Sequence, residues 1–511
     1  MDVGTGRKTR HELRSVALLT MAVALLTAGF GTVWPSAADG AATGPGSQQA
    51  APAGDAISDA SAAVESAKAE NPTPDAPRRL TLREAGTAAL ENNPSITAAL
   101  REEDAGKAQT RQARSGYYPR VESRAVFTNG NNPVYVFGTL LGQQRFSAAN
   151  FDIDALNHPD PVNNLKGEVT LWQSIWEGGK TPLREKMAHR NEALKGRQTE
   201  QARQALLMDV VRHYFAVQLA RENLAAARAT LASARKSRER IQDLLDQGMV
   251  VKSDLLRMDV FVADVRRQEL EAESQVRLAA AALKTDLAGA EPGELDPATP
   301  LALLDLPVLA EAQARQEALK NRPELAVLRE AVEIGKLRVR EAQADFKPSI
   351  GAFSTVEANQ GTTGGSFGAN YVVGVQARLT LYDGHYRGAK VAEMKAEAAA
   401  TEARLKQYED LLSLQAKDAW LRVGTAKAQH AVAAEAVGMA EESLRIVKNR
   451  YEAGMAVLTD LLNAETALLG ARTNRCGAVY QYNLALAGLE LAVGRLTLDS
   501  PIFRAADGQK P

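Results

Sequence analysis

The chain is 511 residues long, with 61 Lys+Arg against 62 Asp+Glu and a formal net charge of −1. That balance offers no electrostatic case for nucleic acid, and the single cysteine, Cys476, rules out an intrachain disulfide. Length alone permits about three globular domains, and the aromatic residues, 5% of the total, cluster where the hydrophobic pattern has period two.

The N-terminus carries an export signature over residues 1–38. Arg7, Lys8, Arg10 and Arg14 form a basic region, residues 16–30 an apolar stretch too short for a comfortable span, and Ser36-Ala37-Ala38 a small-residue cleavage site. No cysteine follows, so lipid anchoring there is excluded. Residues 39–78 are rich in Ala, Gly, Ser and Pro and read as a disordered tether. Thr81-Leu82-Arg83-Glu84 has the capping-box spacing and opens a helix to about Ser115, with an early break at Pro94.

From Pro119 the period changes to two. Val121, Ala125 and Phe127 point one way, and Arg120, Glu122 and Arg124 the other. A second such segment sets Val169, Leu171 and Ile175 against Glu168, Thr170 and Ser174, so a β-hairpin spans about 118–176. Between its strands runs a long connection, 128–166. A helical hairpin follows from Thr181 to Gly289, turning at 248–254, and then a proline-punctuated linker over 291–308. The plan repeats over 309–495, with a β-hairpin at about 347–382 and a second turn at 454–460. Residues 496–511 read as a tail, polar and loose after Pro501.

The repetition is close. Gly248-Met249-Val250 through Leu256 matches Gly454-Met455-Ala456 through Leu462 at an offset of 206, and Trp176-Glu177-Gly178 matches Tyr382-Asp383-Gly384 at the same offset. Upstream, Asn92-Asn93-Pro94 matches Asn321-Arg322-Pro323 at an offset of 229, so the first copy carries 23 extra residues between Pro119 and Trp176. A repeat this long signals internal duplication. Gly248 and Gly454 end their helices, because glycine takes the left-handed conformation without a Cβ clash. Thr459 and Asp460 read as the residues whose side chains cap the next helix.

Candidate chemistry is sparse. Gly179-Lys180-Thr181 sits between strand and helix, yet Ser174 stands where a phosphate loop needs its first glycine. The six histidines show no metal-ligand spacing, and no nucleophile or paired-carboxylate constellation stands out, so neither enzyme, cofactor nor metal site is expected. Asp254 and Asp460 occupy matching places in the two hairpin turns. As first-turn carboxylates they favour the helix dipole. In an oligomer whose tips converge on an axis, they also form carboxylate rings that gate a pore. The two readings are compatible.

Strands of about eleven residues, apolar on one face and charged on the other, have the pattern of a membrane barrel. A soluble two-sheet sandwich is disfavoured, since nothing else in the chain supplies a second sheet. Four strands cannot close a barrel, so the chain must assemble, and strand arithmetic leaves dimer, trimer and tetramer open. The fold class is therefore mainly α with a small β part.

Leu80-Thr81-Leu82-Arg83-Glu84-Ala85, Asn92-Asn93-Pro94, the two strand pairs with their Trp176-Glu177-Gly178-Gly179 and Tyr382-Asp383-Gly384 ends, and the two tips carry a resemblance. Over about residues 79–495 the chain resembles an outer membrane factor of the TolC family, the exit ducts of tripartite efflux pumps and type I secretion systems. The resemblance implies a homotrimer with one twelve-stranded barrel in outer-membrane lipid, continued by a periplasmic α-barrel. It implies partners too, a periplasmic adaptor meeting the tips at Gly248, Met249, Val250, Gly454, Met455 and Ala456, and an inner-membrane transporter beyond it. Its closed aperture maps onto Asp254, Tyr451, Asp460 and Asn463. This sequence departs from the family where Asn463 replaces a second acidic residue and Ala456 replaces an arginine. The alternative of another class is a periplasmic coiled-coil scaffold without a barrel.

Overall fold

The computed structural model describes residues 78–289, 295–361 and 367–506. The chain divides into Met1–Pro72 and Thr73–Pro511, and the architecture below is that of the second unit. The export signal and the tether, except its last residue, lie outside the described residues.

Strand β1 (Arg78–Leu80) leads into α1 (Leu82–Asn92) through the expected capping box. Thr81 Oγ1 accepts from the Glu84 amide at 3.2 Å, and the Glu84 carboxylate accepts from the Thr81 amide at 2.8 Å. Asn93 then caps α2 (Pro94–Arg114), with Pro94 at its first turn, where a missing N–H costs nothing. Next come β2 (Arg120–Gly130), α3 (Pro133–Gly142), the short α4 (Ile153–Asn157) and β3 (Val162–Glu177). Both strands run further than their sequence suggests, so the connection shrinks to residues 131–161 and is largely helical.

Helices α5 (Lys180–Asp246) and α6 (Lys252–Asp286) form the first helical hairpin. At 67 residues α5 is on the order of 100 Å long. The linker is not featureless: β4 (Leu295–Pro297) pairs in parallel with β1. The second copy supplies α7 (Glu311–Asn321), α8 (Pro323–Ala344), β5 (Ser349–Gln360), β6 (Phe367–Arg378), α9 (Tyr386–Glu452) and α10 (Leu458–Ala492). The duplication is exact in length for the hairpin arms, since α9 also has 67 residues and α6 and α10 have 35 each. Strand β6 ends at Arg378, four residues short of the expected Tyr382. Among the described residues its outer edge has no partner strand to extend it.

The sheet order is β2-β3-β5-β6, antiparallel throughout. Register places Val121 opposite Leu171, Val169 opposite Val356, and Val356 opposite Tyr371, so one face is apolar across all four strands. The other face carries Arg124, Glu168, Lys166 and Glu357, joined in one ion-pair ladder, with Lys166 Nζ 2.5 Å from Glu357 and 3.3 Å from Glu168. A bulge at Ser174/Trp176 changes the alternation. It pairs Trp176 with Ile350 and brings it to the apolar face beside the expected Ile175.

Away from the sheet, a core gathers around the middle of α5. Leu207, Val210, Val211, Tyr214 and Phe215 pack against α1, the end of α10 and the chain's last helix, α11 (Pro501–Ala506). The loose tail expected after Pro501 is therefore corrected: Ile502 and Phe503 are fully buried, because this core has apolar space that the long helices alone do not fill. Tyr214 donates to the Leu80 carbonyl at 3.0 Å, tying β1 to α5. Among the described residues, no helix is long and apolar enough to cross a membrane.

Candidate functional site

The two helical turns have one backbone design. Gly248 (φ 74°) and Gly454 (φ 70°) sit just past the helix ends in the left-handed region. The Met249 amide donates to Leu244 and the Gly248 amide to Leu245, at 2.8 and 2.9 Å, and Met455 and Gly454 repeat the pair toward Arg450 and Tyr451 at 2.8 and 3.0 Å. These are the paired bonds of a Schellman motif, which satisfies carbonyls that the helix end leaves orphaned.

The helix starts differ from expectation. The N-cap positions are Val251 and Val457, without a side-chain cap bond at either. Thr459 and Asp460 lie one and two residues inside α10, as Ser253 and Asp254 lie inside α6. The carboxylates therefore act on the first turn through its dipole and not as caps.

A small apolar cluster holds the two tips together. Ala234 and Ile241 of α5, Met258 of α6 and Leu458 and Leu461 of α10 are buried in it, with Tyr451 packed at its margin. Ser233 donates to the buried Glu465 at 2.8 Å, a second link between α5 and α10. Arg238 pairs with Asp259 at 2.7 Å between α5 and α6, and Arg472 with Glu441 at 2.8 Å between α10 and α9.

Tyr451 and Asp254 come close enough for the carboxylate charge to act on the phenol; Asp460 and Asn463 lie on α10, beyond the second turn. Among the described residues the Tyr451 hydroxyl is buried without a hydrogen-bond partner. Burial pushes its pKa up, and the neighbouring Asp254 charge adds to that. Asp254 is half-buried, whereas Asp460 and Asn463 are exposed one turn apart on α10. Gly248, Met249, Gly454 and Met455 stand outermost, with Met249 69% and Met455 64% exposed, while Val250 and Ala456 are half-buried. Arg450, which sequence reasoning passed over, donates to the Met455 carbonyl at 3.4 Å and braces the second turn.

Sequence reasoning also passed over the flanks. Among the long helices α6 packs mainly along α5, and α9 along α10 and α8. Yet α6 exposes Leu256, Val260, Leu270 and Leu278, and α9 exposes Leu414, Leu421, Val432 and Met439. The sheet likewise ends in open edges at β2 and β6. The signal was in the sequence, since these long helices carry apolar residues on more than one face, but which face lacks a neighbour is a matter of packing.

A four-stranded sheet with one lipid-like face, set on hairpin helices about 100 Å long, defines one protomer of a membrane-spanning duct. The Outer membrane efflux protein family model matches residues 86–289 and again 314–495. The chain belongs to that family, and the double match agrees with the duplication. Its sheet lies in the outer membrane and its helices in the periplasm. The chain is 26% identical over 429 residues to the alkaline protease secretion protein AprF of Pseudomonas aeruginosa, covering 80% of this chain and 83% of the relative. It is 26% identical to the protein CyaE of Bordetella pertussis, covering 82% and 86%. The solved CmeC outer membrane channel of Campylobacter jejuni superimposes with a TM-score of 0.65 at 17% identity, over 84% of this chain and 90% of that one. The protein is thus an outer-membrane channel component for efflux or type I secretion.

Proposed function

We propose that three copies of this chain assemble side by side into one duct, their sheets closing a twelve-stranded barrel and their helices continuing it through the periplasm. The observation that carries this reading is the pair of open flanks. Both layers end unsealed, the sheet at β2 and β6 and the helical layer at α6 and α9, where large apolar side chains face outward. An unpaired strand edge and an exposed apolar helix stripe both call for a neighbour, and ring closure with copies of the same chain supplies one at every edge.

In this duct the tips form the periplasmic aperture. Asp254, Tyr451, Asp460 and Asn463 line or brace it, with Asp460 giving the charged ring. The outermost Gly248, Met249, Val250, Gly454, Met455 and Ala456 dock a periplasmic adaptor, which couples the duct to an inner-membrane transporter. Exposed methionines suit such a contact, since their flexible thioethers adapt to a partner's shape. The duct conducts and does not catalyse.

The mass of the detergent-solubilised protein tests the assembly. Light scattering should give a trimer without a folded monomer. A monodisperse monomer with a full β signal in circular dichroism overturns the proposal, and a dimer or tetramer overturns the count of twelve strands.

A further inference from the structure

The residues that the first copy has in excess form a lobe over the sheet. Asn132 caps α3, its Oδ1 accepting from the Val134 and Tyr135 amides at 3.1 and 3.2 Å, and Pro133 takes the first helical position. The lobe does not extend away from the strands. Gln143, fully buried, donates through Nε2 to the Asn163 carbonyl at 2.7 Å and to Asn164 Oδ1 at 3.0 Å. The Tyr135 hydroxyl lies 2.7 Å from Thr128 Oγ1. At the end of α3 the Gly142 carbonyl comes so close to Gly368 that any Cβ there would overlap it.

The face on which α3 rests is decided by register. It shares a cleft of about 440 Å³ with Arg124, Lys166, Glu168 and Glu357, the ion-pair ladder opposite the apolar face. When a sheet with one apolar and one charged face closes in a membrane, the charged face lines the lumen. Helix α3 is then inside the mouth of the barrel, at the end away from the periplasmic helices. Its exposed stripe is Val134, Gly138 and Leu141, spaced i, i+4, i+7, of which Val134 and Gly138 also border the cleft, with Val134 81% and Leu141 49% exposed. The rest of the lobe braces it, through Phe137 packed edge-on to Phe146 at 4.8 Å and Phe146 to Phe151 at 5.1 Å.

We propose that α3 is a selectivity element at the extracellular mouth, where three copies turn Val134 and Leu141 toward the axis and form an apolar constriction above the charged lumen. The proposal rests on the trimeric barrel described above. An apolar ring of this kind obstructs hydrated ions and small polar solutes by dewetting. It yields to cargo that presents apolar surface or fills the mouth. It is separate from the periplasmic aperture and closes the opposite end.

Labelling from outside whole cells with a membrane-impermeant sulfonated maleimide tests it without involving the periplasmic end. Thr355, opposite Thr170 with the hydroxyls 3.1 Å apart, lies on the charged face two residues nearer the helices than Glu357. A cysteine there, T355C, should react slowly in the native background and about tenfold faster when V134S and L141S are added. Equal rates in the two backgrounds, with the trimer intact, overturn the proposal. A cysteine on the apolar face, V373C, should stay unlabelled in both; reaction there as fast as at 355 overturns the barrel reading instead. Cys476 is buried and does not compete. A second test is a disulfide. A Cβ built on Gly142 lies 3.8 Å from that of Asn359, the mean separation in disulfides. The G142C/N359C variant should oxidise in cells, and a pair that stays reduced shows that α3 does not fold into the lumen.

Discussion

The two hairpin tips share a backbone and differ in what surrounds it. Their arms have equal lengths, their glycines equal signs of φ, and their turns the same paired bonds. Yet Leu461 is 3% exposed while its counterpart Leu255 is half-buried, and Leu458 is buried where Lys252 is exposed. The carboxylates are reversed: Asp254 is half-buried beside Tyr451, and Asp460 is open to solvent. The reason is position in the row of helices. Helix α10 packs against both α9 and α5, whereas α6 mainly follows α5. Duplication thus preserves turn chemistry, which is local, and lets side-chain roles diverge with the neighbours.

The largest effect should come from Leu461→Ala. It empties a buried place in the tip cluster, and the expected loss is about 2–4 kcal/mol. Leu255→Ala should cost about 1 kcal/mol, because less apolar surface leaves water there. Hydrogen exchange of the amides in residues 244–256 and 450–462 reads both as local opening. Equal losses would erase the distinction between the tips.

Where the copies are alike, the response should be alike. Gly248→Val and Gly454→Val each force a β-branched residue to positive φ, at about 1–2 kcal/mol each. Neither position has a neighbouring atom that a Cβ would meet, so strain is the whole effect. The same exchange measurement should give equal values at the two tips, and the double variant should fail in export while still inserting in the membrane. A clear inequality would show that the surroundings reach the backbone as well.

How much of this was legible follows the same division. Gly248, Gly454, the Thr81–Glu84 capping box and the offset of 206 were plain, because each rests on a few adjacent residues. The face alternation of Val121 and Val169 was plain for the same reason. The burial of Ile502 and Phe503, the shift of Trp176 at its bulge and the seating of α3 on the charged face depend on partners distant in the chain. Asp254 and Asp460 looked interchangeable, and only packing separates them. The helix starts misled in another way. Thr459 and Asp460 have capping side chains, but the turn places Val457 at the cap.

Tyr451→Phe should sharpen the contrast by about 1 kcal/mol. The native hydroxyl is buried without a partner, and removing it relieves that desolvation, so the second tip gains stability at neutral pH. The pH dependence has a definite sign. The folded pKa is raised from 10.0, so the neutral phenol is favoured in the folded tip. Its contribution is complete below pH 10 and is lost as pH climbs through the higher folded value. Native protein should therefore lose tip protection in alkali over a window that the Phe variant lacks. Indistinguishable alkaline profiles would remove Tyr451 from the margin of the tip cluster.

Asp460→Asn should have the smallest effect on stability and the most specific one on conduction. The carboxylate is exposed in the first turn of α10, so losing its charge weakens only the dipole interaction, by about 0.3–1 kcal/mol. Asp254→Asn should cost a similar amount for the same reason. Their conduction should differ. In the proposed trimer, three Asp460 carboxylates face water at the aperture, and with Asn463 uncharged they carry the cation preference there. Single-channel recordings should show that preference falling in Asp460→Asn, together with weaker block by multivalent cations. Asp254→Asn should leave both nearly unchanged, because Tyr451 and the turn of α6 screen that carboxylate from the water path. Equal loss in the two variants would place both rings in the aperture. Unaltered selectivity in a correctly inserted Asp460→Asn trimer would reduce the second carboxylate to its action on the helix end.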